Sequence, residues 1–77
     1  MTENQSAIEL VMSKLREHGS MIEVAKLVNC HRSLLYHFES GNRTLGPALV
    51  TRMRKRIPEC ATIPDRVWLA AMGVDLS

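Results

Sequence analysis

Five polar side chains between residues 32 and 40 have the types and spacing to bind one ligand surface. They are Arg32, Ser33, Tyr36, His37 and Ser40. The last four recur at i, i+3, i+4 and i+7, so a helix of about 3.6 residues per turn places them on one face, with Arg32 beside them in its first turn. The guanidinium, hydroxyls, phenol and imidazole of this set can hydrogen-bond base edges or phosphates.

The same segment has an apolar edge that would hold the helix against a core. Leu34, Leu35 and Phe38 form this edge, and Gly41 is a typical residue at which a helix ends. The pattern therefore predicts an amphipathic helix over about 31–40, with one face packed and one face free.

A second helical pattern comes directly before it, over about 20–28. Its apolar positions follow the same i, i+3, i+4, i+7 spacing: Met21, Val24, Ala25 and Val28. Ser20-x-x-Glu23 matches a capping box, in which each side chain satisfies an otherwise unpaired backbone N–H. Asn29 tolerates the left-handed conformation that a sharp turn needs. Two helices separated by a tight turn are thus predicted over 20–40.

These residues resemble the Cro and repressor-type helix-turn-helix family, also called XRE-like. In that family a Leu-Ala pair lies in the first helix, a Gly-Val turn follows, and the second helix ends in Ile-Glu-x-Gly-x-Arg or a close variant. The corresponding residues here are Val24-Ala25, Val28-Asn29-Cys30, Arg32-Ser33, Leu35, Phe38-Glu39, Gly41 and Arg43. The chain departs from the family at Met21, where a phosphate-binding Gln is common, at Asn29, usually Gly, and at His31, which we expect to be a poor helix cap.

The resemblance implies an all-α fold, a compact five-helix lambda-repressor-like helix-turn-helix domain, that binds double-stranded DNA. It implies base reading by Arg32, Ser33, Tyr36 and His37. Phosphates would be held by Ser20, Ser40, Asn42 and Arg43. Glu39 has no expected contact with DNA, and its spacing predicts an ion pair with Arg43 at i, i+4.

The remaining chain predicts three more helices in one domain spanning 1–77. A second capping box, Ser6-x-x-Glu9, predicts a helix over about 6–18 that stops at Gly19. Pro47 favours a helix start and predicts one over about 47–57, and a short helix is predicted over about 64–72, after a loop. No strand is expected.

Composition and charge restrict the other classes of protein that this chain could belong to. A chain of 77 residues builds a thin core, and its net charge of +2 is too small to indicate nucleic acid by itself. Between Glu39 and Glu59 there are five bases and no acid, which we interpret mainly as a solvated face. No apolar run approaches the roughly 18 residues of a membrane span, and the first ten residues lack signal-peptide features, so a cytoplasmic location with reduced cysteines is expected.

Neither catalysis nor a cofactor is expected. Cys30 and His31 are adjacent rather than spaced as paired zinc ligands, and no second ligand pair follows at zinc-finger spacing. The serines and histidines show no nucleophile turn. The sequence therefore predicts no enzyme, no metal site and no small-molecule ligand.

The last predicted helix leaves two alternatives open. Val67, Trp68, Ala71 and Met72 either form a two-fold dimer contact or complete the chain's own core.

The functional prediction is a homodimeric transcriptional repressor of phage or plasmid type on an inverted-repeat operator. The alternatives are an adaptor or antitoxin-like module that binds a protein with the same helices and, more remotely, a thiol switch at Cys30.

Overall fold

The computed structural model describes residues 3–74, which form five α-helices, one 3-10 helix and, over that range, no strand. The all-α class predicted from the sequence is confirmed. The α-helices are α1 (Glu3–His18), α2 (Met21–Leu27), α3 (Arg32–Glu39), α4 (Pro47–Arg56) and α5 (Asp65–Ala71). The 3-10 helix, Pro58–Thr62, lies inside the segment for which the sequence predicted only a loop.

Helix α1 is the element around which the others pack. It contacts α2, α3, α5 and the 3-10 helix, and its buried residues are Ala7, Ile8, Val11, Met12 and Leu15. Every other helix adds at least one fully buried side chain to the same cluster, including Val24, Leu35, Met53, Cys60 and Trp68. Among side chains 5–74, no charged one is buried, so the core is held together by apolar contact.

The helix ends around α2 and α3 follow local sequence signals. The Glu23 N–H donates to Ser20 Oγ over 3.2 Å, which confirms Ser20 as the N-cap of α2. Asn29 has a φ of 56° and Gly41 a φ of 84°, the left-handed conformations that were predicted where these helices end.

The predicted capping box Ser6-x-x-Glu9 does not start a helix, so that prediction is wrong. Helix α1 begins at Glu3, so Ser6 is already helical and cannot take the extended conformation that an N-cap needs. Ala7 and Ile8, which directly follow Ser6 in α1, are buried in the core.

Two of the four residues predicted as a dimer contact lie inside the chain's own core. Trp68 and Ala71 are each 1% exposed, whereas Val67 and Met72 are partly buried at its edge. Trp68 and Ala71 cannot meet a second chain without exposing this core, so their burial favours the alternative in which they complete the chain's own core. Of the predicted contact, Val67 and Met72 retain exposed surface.

The buried thiol of Cys60 makes stability depend on alkaline pH. Desolvation raises the pKa of Cys60 from an ordinary value near 9 to about 11, and the Glu59 carboxylate adds to the shift. In the unfolded chain the thiol ionises near its ordinary pKa, so between the two values only the folded chain keeps the proton. The free energy of unfolding is therefore expected to fall by roughly 2 to 3 kcal/mol from pH 8 to pH 11.

This prediction is checked by urea unfolding at a series of pH values, with Cys60→Ala as the comparison. The variant removes the titrating group and should lose less stability over the same interval, although its cavity lowers stability at every pH. Identical pH slopes for the two proteins would contradict the prediction. Lysine and tyrosine ionisation is common to both and cancels in the comparison.

Candidate nucleic-acid interface

Helices α2 and α3 pack against each other and are joined by the short turn 28–31. Within this turn the Cys30 N–H donates to Ala25 O over 2.9 Å, and the Asn29 N–H donates to Lys26 O over 3.2 Å. Both bonds return the chain onto the last turn of α2, while the left-handed Asn29 reverses its direction. Val28 is buried and Cys30 partly buried, so the turn is fixed to the core.

Helix α3 separates its two faces as the sequence predicted. Leu35 is 0% exposed and Phe38 1% exposed, and Leu34 packs partly against the same core. The opposite face carries the four side chains predicted to read bases, all of them exposed: Arg32, Ser33, Tyr36 and His37. The structure thus places these four on one solvent-facing surface, which we call the α3 face.

His31 is the N-cap of α3, which corrects the expectation of a poor cap. Its Nδ1 accepts the Ser33 N–H over 3.2 Å and lies 2.6 Å from Ser33 Oγ, whose hydroxyl can donate to it. A neutral imidazole with an unprotonated Nδ1 has the lone pair that these bonds need. The cap was missed because residue preferences at helix starts favour Ser, Thr, Asp and Asn.

The residues predicted to hold phosphates fall into two groups, all exposed. At the end of α3, Ser40 Oγ donates to His37 O over 3.0 Å, and Asn42 Nδ2 donates to Ser40 Oγ over 3.1 Å. This local network holds the loop that also carries Arg43. Ser20 differs, because its hydroxyl is 3.3 Å from the Glu23 carboxylate, whose charge opposes an approaching phosphate.

Glu39 pairs with Arg16 of α1 and not with Arg43, which corrects the predicted i, i+4 ion pair. Both side chains of the observed pair are partly exposed, so its contribution to stability is about 0 to 1 kcal/mol. The pair has a larger effect on the charge of α3, because Glu39 is the only acidic residue of this helix. The pair places a compensating cation beside the carboxylate at the end of the α3 face.

The bases of α4 are largely engaged within the chain. Arg52 Nε donates to Val28 O over 2.8 Å, and Arg56 Nη1 donates to Leu27 O over 3.0 Å. Arg54 Nη2 lies 3.1 Å from Asp65 Oδ1. These contacts agree with the interpretation that most of this basic run does not reach a ligand, but they give two of the arginines a structural role that the sequence did not indicate.

The thiol of Cys30 is a poor candidate for a redox switch. Burial raises its pKa, and the nearby Arg52 guanidinium opposes the shift only in part. Because the thiolate is the reactive form, a raised pKa slows oxidation. In the part of the chain that the structure describes, no group of three His, Cys, Asp or Glu side chains is arranged to hold a metal ion.

None of the helices within residues 3–74 has the length and apolar character needed to cross a bilayer. No family model matches the chain, and no curated protein or solved structure matches it either. The family resemblance therefore depends on the residues of the segment 20–43, and the function must be argued from their geometry.

Proposed function

We propose that this chain is a sequence-specific DNA-binding transcription regulator, in which α2 and α3 form a lambda-repressor-like helix-turn-helix and α3 enters the major groove. The observation that carries the proposal is the α3 face. Arg32, Ser33, Tyr36 and His37 share one exposed surface of a helix whose other side is fixed in the core by Leu35 and Phe38. A recognition helix needs this combination of a rigid base and free polar side chains.

The side chains of the α3 face match the chemistry of base edges. Arg32 is a forked donor suited to O6 and N7 of guanine, and His37 and Ser33 can bond neighbouring bases. Tyr36, which is half exposed, can meet a thymine methyl group or donate its hydroxyl to a phosphate. With the Glu39 charge compensated by Arg16, the face presents no uncompensated acid to the DNA backbone.

Tight binding requires two copies of the chain on an inverted repeat. A single recognition module buries only about 600 to 1,000 Å² of protein surface, and two-fold symmetric dimers read two half-sites. A dimer contact at α5 would use the exposed parts of Val67 and Met72. The regulator acts as a repressor of phage or plasmid type in the cytoplasm, where it blocks a promoter by occupying an overlapping operator.

The test is a selection from random duplex DNA with the purified chain, followed by fluorescence anisotropy on the enriched sequence. The expected result is one palindromic motif, bound far more tightly than a shuffled duplex of equal length and composition. Its affinity should fall by about 10³ to 10⁵ between 50 and 200 mM salt if 6 to 10 phosphates are contacted.

An absence of any enriched motif, together with no affinity for duplexes at low salt, would overturn the proposal. It would favour the second candidate, an adaptor or antitoxin-like module that binds a protein. The observation that favours this second candidate is the exposed apolar surface of α2, where Ile22 is 47% and Leu27 is 36% exposed. Such residues at a surface are compatible with a protein contact.

A further inference from the structure

Two arginines of α4 reach across the fold to the end of α2. Arg52 Nε donates to Val28 O and Arg56 Nη1 donates to Leu27 O, at 2.8 Å and 3.0 Å. The two arginines are four residues apart, so one face of α4 presents both. The last carbonyls of a helix have no partner within it, and these two consecutive carbonyls receive theirs from a different helix. We call this pair of bonds the arginine clamp.

The clamp is well suited to hold the end of α2 in one place. The carboxyl end of a helix carries partial negative charge, and a guanidinium donor makes a charge-assisted bond there. The Arg52 bond is partly buried, so salt screens it less than a surface contact. On its other side α4 is anchored by Leu49, Val50 and Met53, all buried in the core.

The clamped carbonyls lie where the chain turns towards α3. Val28 directly precedes the left-handed Asn29, and the turn ends at His31, the cap of α3. A small rotation at Val28 would therefore change the direction of the whole α3 face. A displacement of about 1 Å is enough to weaken hydrogen bonds that depend on alignment, such as those to base edges.

We infer that Arg52 and Arg56 are positioning residues for DNA recognition: they fix the orientation of the α3 face by holding the end of α2, without binding DNA themselves. This inference rests on the proposed DNA-binding function. It assigns a role in specificity to α4, whose sequence alone indicates mainly a solvated basic face.

The decisive experiment compares Arg52→Ala and Arg56→Ala with two controls on the same helix. Lys55→Ala removes an equal charge at an exposed position outside the clamp. Val50→Ala lowers stability through the core without touching the clamp. Binding of each protein to the selected operator and to a shuffled duplex is measured across a salt series, at a temperature where circular dichroism shows all of them folded.

Loss of either clamp arginine should weaken operator binding about tenfold or more, with shuffled-duplex affinity and the salt slope unchanged, while both controls bind like the parent chain. If the arginines instead contacted phosphates, both duplexes would be weakened equally and the slope of log affinity against log salt would fall by about 0.9 per residue. That result would overturn the inference. So would an equal loss of specificity in Val50→Ala, because stability alone would then explain the effect.

Amide hydrogen exchange tests the clamp without DNA. The Cys30 N–H, bonded to Ala25 O, reports on the turn. Its exchange should accelerate about tenfold in Arg52→Ala relative to Lys55→Ala, as expected for loss of a hydrogen bond to a charged group. Unchanged exchange would show that the clamp does not hold the turn, whatever the chain binds. If Arg52→Ala exchanged faster but the parent chain bound no DNA, the clamp would hold the turn and the proposed DNA-binding function would be wrong.

Discussion

Replacing Trp68 with alanine is expected to remove a large part of the free energy of unfolding of the chain. Trp68 is the largest fully buried side chain and lies on α5, in the core formed with α1. Truncation of a buried Trp costs about 3 to 5 kcal/mol, and a domain of 77 residues has a total stability of roughly 4 to 12 kcal/mol. Circular dichroism with urea measures the change, because the variant lacks the tryptophan needed for fluorescence.

Trp68→Phe is the informative control. The indole Nε1 is buried and has no hydrogen-bond partner among residues 3–74. Leaving such a donor unsatisfied costs about 1 to 3 kcal/mol, and phenylalanine removes it, which offsets part of the lost packing. Trp68→Phe should therefore be much more stable than Trp68→Ala. If the two variants were equally destabilised, the indole N–H would have a bonding role that this structure does not show.

The Trp68 variants also separate the two alternatives that the sequence left open for α5. If the tryptophan completes the chain's own core, unfolding of Trp68→Phe and of the parent chain should respond to protein concentration in the same way. If Trp68 instead formed a dimer contact, the urea midpoint of the parent chain would rise with protein concentration, and the midpoint of Trp68→Phe would not.

The features that the sequence predicted correctly are local ones. Apolar spacing located α2 and α3 and identified Leu35 and Phe38 as the buried side of α3. The turn between α2 and α3 was predicted because few residues accept a positive φ, and Asn29 is one of them. Signals of this kind depend on neighbours within a few residues, so they can be read without knowledge of the fold.

What the sequence did not predict depends on residues that are distant along the chain. Glu39 is paired with Arg16, 23 residues earlier, although Arg43 offered a partner at helical spacing. The carbonyl of Val28 is bonded by Arg52, 24 residues later. Both contacts join two helices that are far apart in the sequence. No local pattern specifies how such helices are oriented, so these contacts could be identified only from the three-dimensional structure.

The two capping boxes show that a local motif can also fail. Ser20-x-x-Glu23 and Ser6-x-x-Glu9 have the same spacing, but only Ser20 is extended and caps a helix. Ser6 lies inside α1, which begins at Glu3, so it does not cap this helix. The motif therefore indicates that a helix lies nearby, but not the residue at which that helix begins.

Replacing Arg32 or His37 with alanine should remove base discrimination while leaving most of the non-specific affinity. Both side chains are exposed on the α3 face, and each lost base contact is worth about 1 to 3 kcal/mol at one position of the operator. Ser33 is less suitable for this test, because its hydroxyl and N–H are within bonding distance of His31 and its replacement would also disturb the helix cap. The measurement is the affinity for the selected operator and for variants with single base changes.

Arg43→Ala is the matched control, because it removes the same charge from a residue expected to hold a phosphate at the end of α3. Its effect should be uniform over all sequences and should lower the salt slope by about 0.9. Arg32→Ala should instead equalise the affinities of operators that differ at one base pair, where the parent chain distinguishes them. If Arg32 and Arg43 behaved alike on every duplex, the α3 face would be a general electrostatic contact and not a reader of sequence. The same outcome would leave the arginine clamp without a recognition surface to position, so this comparison bears on both proposals.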